Sequence, residues 1–359
     1  MRVAIVTGSG GLVGSESVRA LVEAGYHVVG LENDTRAQLF GASASTAPQT
    51  RRLLRRHATF TSLAVDIRDS ESVERVFAKY RRRLEIIVHT AAQPSHDWAA
   101  SQPQVDFAIN ANGTLNLLEA TRKHAAEATF VFTSTNKVYG DTPNHLPLIE
   151  RDTRLELPTE HHWFGGIDTS MSIDSSMHSL FGVSKVAADL LVQEYGRYFD
   201  MPTVSFRCGC LTGPAHAGTA LHGFLSYLMR CTIDGSPYTV HGYGGRQVRD
   251  NLASVDLVRA FLLFHAQPRA GVVYNLGGGR VSNCSMLEAI ASSEKIAGRP
   301  LDWSLGDDAR LGDHRWWISD LSAFQADYPA WAPTMDTDDI LRAIHEENAE
   351  RWAPPAVAA

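Results

Sequence analysis

A short apolar run, residues 3–6, passes directly into Thr7-Gly8-Ser9-Gly10-Gly11-Leu12-Val13-Gly14 and then into the amphipathic stretch Leu12–Glu23. Strand, glycine loop and helix in this order constrain the chain more than any other segment. Glycines at 8, 11 and 14 permit a tight turn, close approach of backbone to a pyrophosphate, and close packing of helix on sheet. The first N–H groups of the helix add partial positive charge at the same place. Further near-continuous apolar runs at 28–31, 61–65, 86–89, 129–133 and 203–206 alternate with amphipathic segments. That pattern fits parallel strands covered on both faces by crossover helices. The fold class expected is α/β: a Rossmann-type doubly wound parallel sheet with a smaller C-terminal substrate-binding lobe built from several segments.

The expected organisation assigns 1–214 to the dinucleotide-binding domain, with the polar insertion 141–180 as a lid or substrate loop. Residues 215–252 and 279–350 form the second lobe, 253–278 return to the first domain, and 352–359 fray. A net charge of -7 with both signs interspersed gives no electrostatic case for nucleic acid or an anionic membrane. No apolar stretch of about 18 residues is present for a membrane span, and the glycine loop follows the N-terminus too closely for a signal peptide. Cys208, Cys210, Cys231 and Cys284 are too few and too irregular for a disulfide framework or a metal site. The expectation is a cytoplasmic protein with reduced thiols and no metal.

Glu32 ends the second strand, eighteen residues after Gly14. A carboxylate there accepts bonds from adenosine ribose hydroxyls and repels a 2'-phosphate, so NAD is favoured over NADP. Asn33 adjoins it, and Arg36 pulls the other way, because a guanidinium can pair with a phosphate.

Several segments then share one pattern: Thr135-Asn136-Lys137-Val138-Tyr139-Gly140-Asp141 at a strand end, His178-Ser179 before a helix, Lys185-x-Ala187-Ala188-Asp189 within it, Phe206-Arg207, and Gln247-Val248-Arg249-Asp250. With the GxxGxxG loop they resemble the extended short-chain dehydrogenase/reductases of the NAD-dependent epimerase/dehydratase family, and within it the CDP-tyvelose (CDP-paratose) 2-epimerases, over roughly residues 1 to 330. The resemblance implies that Gly8, Gly11, Leu12, Val13, Gly14, Glu32, Asn33, Arg36, Asp66, Ile67, Ala91, Ala92, Gln93, Asn110 and Lys185 hold NAD. It implies that Thr135 and Lys185 are catalytic and that Asn136, Lys137, His222, Arg249 and Arg310 bind a nucleotide sugar, expected to be a CDP-sugar. The two arginines would grip its diphosphate. It also implies a homodimer through helices at 106–123 and 182–198, although plain sheet-covering helices explain the same apolar spacing.

Dehydratases of this superfamily carry Asp-Glu where this chain has Asn136-Lys137. More unusual is Phe181, four residues before Lys185, at the position of the family's catalytic Tyr. A phenyl ring neither donates nor accepts a proton, and losing one general base typically costs about 10²- to 10⁴-fold. Candidate substitutes are His178, whose imidazole titrates near working pH, Thr135 through water, neutral Lys185, Cys208, and Glu160, His161, His162 or Asp168 of the insertion. The reading preferred from sequence is a C2 epimerase that oxidises a sugar transiently and returns the hydride. The alternatives are a dehydratase, dehydrogenase or decarboxylase, a silent binder of NAD and nucleotide sugar, and a Tyr-to-Phe exchange made to trap a substrate complex.

Overall fold

Seven strands pair in the order Val272–Leu276, Thr203–Cys208, Thr129–Thr135, Leu84–His89, Val3–Thr7, His27–Leu31, Phe60–Leu63, and every pairing is parallel. The computed structural model describes residues 1–216, 218–219, 223–306 and 312–354. Strand order reverses at Val3–Thr7: the chain first winds outward through the second and third strands, then crosses to the other side of the first. A crevice opens at such a switch point beyond the carboxyl ends of the strands, where ligands bind in open α/β sheets. The glycine loop and the turn after Leu84–His89 flank that crevice.

Both faces of the sheet are covered, which is why its strands read as apolar runs rather than alternating ones. On one face Phe77, Leu117, Leu118, Ala188 and Val192 form the core with the strands, carried by helices Ser70–Tyr80, Gly113–His124 and Leu180–Phe199. On the other, Val18, Leu21, Leu257, Phe261 and Phe264 pack with Phe324, Tyr328 and Trp331. The stretch read as one helix over 106–123 is helix Pro103–Phe107, a π-helical turn Ala108–Asn112 and helix Gly113–His124. Periodicity alone does not reveal the wide turn, because the backbone stays helical through it.

A second core lies beyond the sheet, where Leu228, Met229, Met286, Ile290, Ile340, Leu341 and Ile344 meet. Helices Phe224–Asp234, Met286–Ala297 and Thr337–Trp352 and the parallel pair Tyr238–His241 with Trp303–Gly306 supply them. The insertion 141–180 is anchored to the rest of the chain at a few buried positions. Leu157, Ile167 and Met171 are buried against Trp316, Trp317 and Ile318, and Asn275 donates to the Ile167 carbonyl at 2.8 Å. Among the described residues, no helix is long and apolar enough to cross a membrane, and no group of His, Cys, Asp and Glu is arranged to hold a metal.

Candidate active site

One cavity of about 1110 Å³ follows the crevice from the glycine loop to the second lobe, larger than the roughly 300–1,000 Å³ of an ordinary small-molecule pocket. At its first end, Gly8 adopts φ +65°, and a Cβ on Gly14 would lie 2.0 Å from the Gly8 carbonyl oxygen. Only a glycine fits at 14, so the helix Leu12–Glu23 can start directly on the loop. No side chain caps that helix, which leaves its first amides for an anion. Gly8, Gly11, Leu12, Val13 and Gly14 all line the cavity.

Glu32 accepts the Gly10 N–H at 3.0 Å and the Asp34 N–H at 2.8 Å, fixing its carboxylate beside the loop. Asn33, Arg36, Asp66, Ile67, Ala91 and Ala92 complete this end. Asp66 is held below the usual carboxylate range chiefly by its bonds from Arg68. An uncapped helix start, a glycine-only contact and an anchored acid at the second strand fit a dinucleotide diphosphate with an unphosphorylated ribose. Gln93 and Asn110 lie beneath this wall instead of lining it. Gln93 is wholly buried, its N–H donates to Asn110 Oδ1 at 2.9 Å, and Asn110 Nδ2 donates to Asp106 and Ser184.

The middle of the cavity holds Thr135, Asn136, Lys137, Phe181, Lys185 and Cys208. Thr135 ends its strand, and its hydroxyl accepts the Lys137 N–H at 3.2 Å. Lys185 lies one turn along Leu180–Phe199, donates to the Thr133 carbonyl at 2.9 Å, and stands 4.2 Å above the Phe132 ring. Burial lowers its pKa to about 8, against the pull of Asp189. Asp189 ties helix and sheet together through a 2.8 Å ion pair to Arg207 and a 2.6 Å bond from Ser134. Both Arg207 and Asp189 are buried, so removing one partner would strand a charge.

Lys137 donates to the Gly312 carbonyl at 2.8 Å and lies 3.7 Å from Asp313. Burial lowers it to about 8, Asp313 opposes the shift and Arg249 adds to it. Arg249 is buried, and its guanidinium lies 3.8 Å from Asp313. Arg310 and His222 lie outside the described residues.

The candidate substitutes for the missing phenol separate clearly. His178 does not line the cavity; its Nε2 lies 2.8 Å from the Ile173 carbonyl in the insertion. Neither do Glu160, His161, His162 or Asp168. Cys208 does, but burial raises its thiol far above the ordinary range. Sequence reading missed His96, which lines the cavity beside Phe181. The available signal was its place just past the carboxyl end of a parallel strand. It also missed the second-lobe wall of Tyr227, Arg230, Tyr238, Thr239 and Met286.

Residues 4–277 match the NAD dependent epimerase/dehydratase family. The chain is 27% identical to CDP-paratose 2-epimerase of Salmonella typhi over 95% of its own length and 98% of that protein. It is 30% identical to dTDP-glucose 4,6-dehydratase of Salmonella typhimurium, over 76% of this chain and 71% of the relative. Its fold matches the NAD complex of Thermus thermophilus UDP-glucose 4-epimerase with a TM-score of 0.75 and 25% identity, covering 99% and 100% of the two chains. The glycine-loop geometry, the parallel sheet and the extent of these matches lead to one conclusion: the chain is an extended short-chain dehydrogenase/reductase and belongs to the NAD-dependent epimerase/dehydratase family.

Proposed function

We propose that this protein is an NAD-dependent nucleotide-sugar epimerase that inverts C2 of a CDP-sugar through a transient keto-sugar. The observation that carries this reading is the continuity of the cavity, whose single lining takes in the dinucleotide loop, Thr135, Lys137, Lys185 and Arg249. Bound NAD supplies a nicotinamide that takes up a hydride from a sugar carbon and gives it back.

The chain's own residues divide the remaining work. Backbone at Gly8, Gly11 and Leu12–Gly14 holds the dinucleotide pyrophosphate, Glu32 the adenosine ribose, and Lys185 the ribose of the nicotinamide. Thr135 turns its hydroxyl toward the sugar oxygen. Arg249 offers a guanidinium fork to the diphosphate, with Lys137 as a second cation. Asn136-Lys137 supplies no carboxyl pair for expelling water, which favours epimerisation over dehydration. The near end-to-end match to a CDP-paratose 2-epimerase supports C2 and CDP.

Helix Leu180–Phe199 exposes Leu180, Val183, Leu190, Tyr198 and Phe199, a larger apolar surface than a helix covered only by its own sheet needs to leave open. A homodimer would cover it; a monomer mass by light scattering at micromolar concentration would exclude that.

Phe181 favours a second reading, a binder of NAD and nucleotide sugar without turnover. The deciding experiment incubates the NAD-loaded protein with CDP-paratose, then with GDP-, UDP- and dTDP-sugars, in deuterated water. Inversion at C2 with no accumulated NADH is the expected result. A lasting keto or unsaturated product points to a dehydrogenase or dehydratase, and tight binding without product across the panel points to the silent binder.

A further inference from the structure

Two helices from separate hydrophobic cores meet at the glycine loop. Helix Ala47–Arg56 belongs to the sheet, with its Leu53 buried in the core that holds Val18 and Leu21. Helix Thr337–Trp352 belongs to the second lobe, through buried Ile340, Leu341 and Ile344. An ion pair joins them: Arg52 Nη1 lies 3.1 Å from Glu347 Oε1, across 295 residues of sequence. Both side chains line the cavity.

Each helix is seated at the loop by its own contacts. A Cβ on Gly10 would lie 2.5 Å from Thr50 Oγ1 and 2.8 Å from Thr46 Cβ, so the start of Ala47–Arg56 rests on the loop itself. Asp34 fixes that start: its carboxylate accepts the Thr46 N–H at 2.8 Å, the Thr46 hydroxyl at 3.1 Å and the Ser45 hydroxyl at 2.7 Å. Asp34 in turn gives its own N–H to Glu32, which also holds Gly10. Glu32, the loop and this helix are therefore one hydrogen-bonded unit.

The second helix reaches the loop through another turn. Buried Asn348, beside Glu347, donates to the Pro214 carbonyl at 3.1 Å. Gly213, the residue before Pro214, faces Leu12, whose Cδ1 would lie 3.6 Å from a Cβ there. Leu12 is the first residue of the helix that leaves the glycine loop.

We propose that the Arg52–Glu347 pair latches helix Thr337–Trp352 over the dinucleotide loop, and that opening this latch is a step in the release of NAD. Both members of the pair are half-exposed, so the tie is weak and re-forms readily, as a latch must. The chemistry gives it a use. An epimerase returns the hydride to the sugar and ends each cycle with NAD as it began, so no step of the cycle requires the cofactor to leave. That use rests on the epimerase reading above; the latch itself needs only that NAD is bound.

The test follows the exchange of carbon-14-labelled NAD, loaded onto the full chain, against excess unlabelled NAD with no sugar present. R52E and E347R each replace attraction by repulsion and should speed exchange about 10-fold. R52E combined with E347R restores opposite charges and should bring the rate back to within about 3-fold of wild type. A further variant holds the latch shut: R52C with E347C, joined by a short bismaleimide, should slow exchange about 10-fold or more relative to the same protein before cross-linking.

Acceleration by R52E but not by E347R would mean that Arg52 holds NAD directly, and it overturns the latch. So does a double variant as fast as the product of the two single effects, or a cross-link that leaves exchange unchanged. Turnover plays no part in these readings. A protein that inverts no sugar loses the epimerase reading and keeps the latch, and a failed latch leaves the epimerase reading standing.

Discussion

The two halves of the cavity recognise by different means. The dinucleotide half is built from backbone: an uncapped helix start, a loop that tolerates only glycine at its tightest contact, and one acid anchored to that loop. The half proposed to hold the sugar is built from side chains of separated segments, among them Thr135–Lys137, Lys185, Arg249 and Asp313. A backbone site allows little substitution, because each atom serves as both frame and ligand. A side-chain site can lose a group and recruit another from a neighbouring segment, because its ligands are not its frame.

Variants that divide the halves should act unequally. G14V places a branched side chain where even a Cβ meets the Gly8 carbonyl at 2.0 Å. It should abolish NAD retention, read by the nucleotide released after gel filtration and acid denaturation. A variant that still carries NAD would break the contrast, since the loop would have moved to accept a side chain. R249A should weaken nucleotide-sugar binding about 100-fold by calorimetry while NAD content is unchanged, as expected for a buried charge-assisted contact. Equal loss of both ligands would mean the halves are not separable.

A smaller effect concerns pH. Lys137 is a cation below its value of about 8 and increasingly neutral above it. Nucleotide-sugar affinity should therefore fall between pH 7 and 9, by roughly 10-fold if one cation in the diphosphate site is lost. K137M should be weak and flat across the same range; a wild-type profile equally flat would take Lys137 out of that role.

The frame under the dinucleotide half has its own pH limit. His89 lies wholly buried between the Thr7 and Thr114 hydroxyls. Burial, reinforced by Lys185, lowers its pKa from an ordinary 6.5 to about 3. Its folded value is depressed, so the unfolded chain takes up the proton first. The contribution to stability is complete above about pH 6.5 and declines as the pH falls toward 3. Between pH 7 and 5 the loss should be about 2 kcal/mol, seen in urea unfolding at the two pH values. Replacing His89 by Gln should flatten that dependence.

Legibility in the sequence follows the same division. The helix Leu12–Glu23 and the carboxyl-terminal approach of each strand to the crevice were readable, because apolar periodicity and a glycine loop are local signals. Glu32, Asp66, Thr135 and Lys185 line the cavity, each lying at a strand end or one turn from a position the sequence marks. Gln93 and Asn110 carried the same kind of motif signal, yet they support the wall from beneath. The π-helical turn Ala108–Asn112 carries Asn110 onto the Gln93 turn, and no local pattern announces it. His178 looked suited to proton transfer by proximity in sequence, but the insertion folds it toward the Ile173 carbonyl.

By itself, then, the sequence determined the parallel sheet, the glycine loop, the acid at the second strand and the absence of a hydroxyl at 181. These depend on contacts within a few residues or on the identity of one residue. The tertiary structure decided what surrounds Phe181. His96 is far from it along the chain and meets it, and Gly312 in turn meets His96, only because parallel strands end at one crevice and residues of the second lobe approach it. Which side chain stands near a missing oxygen depends on long-range packing.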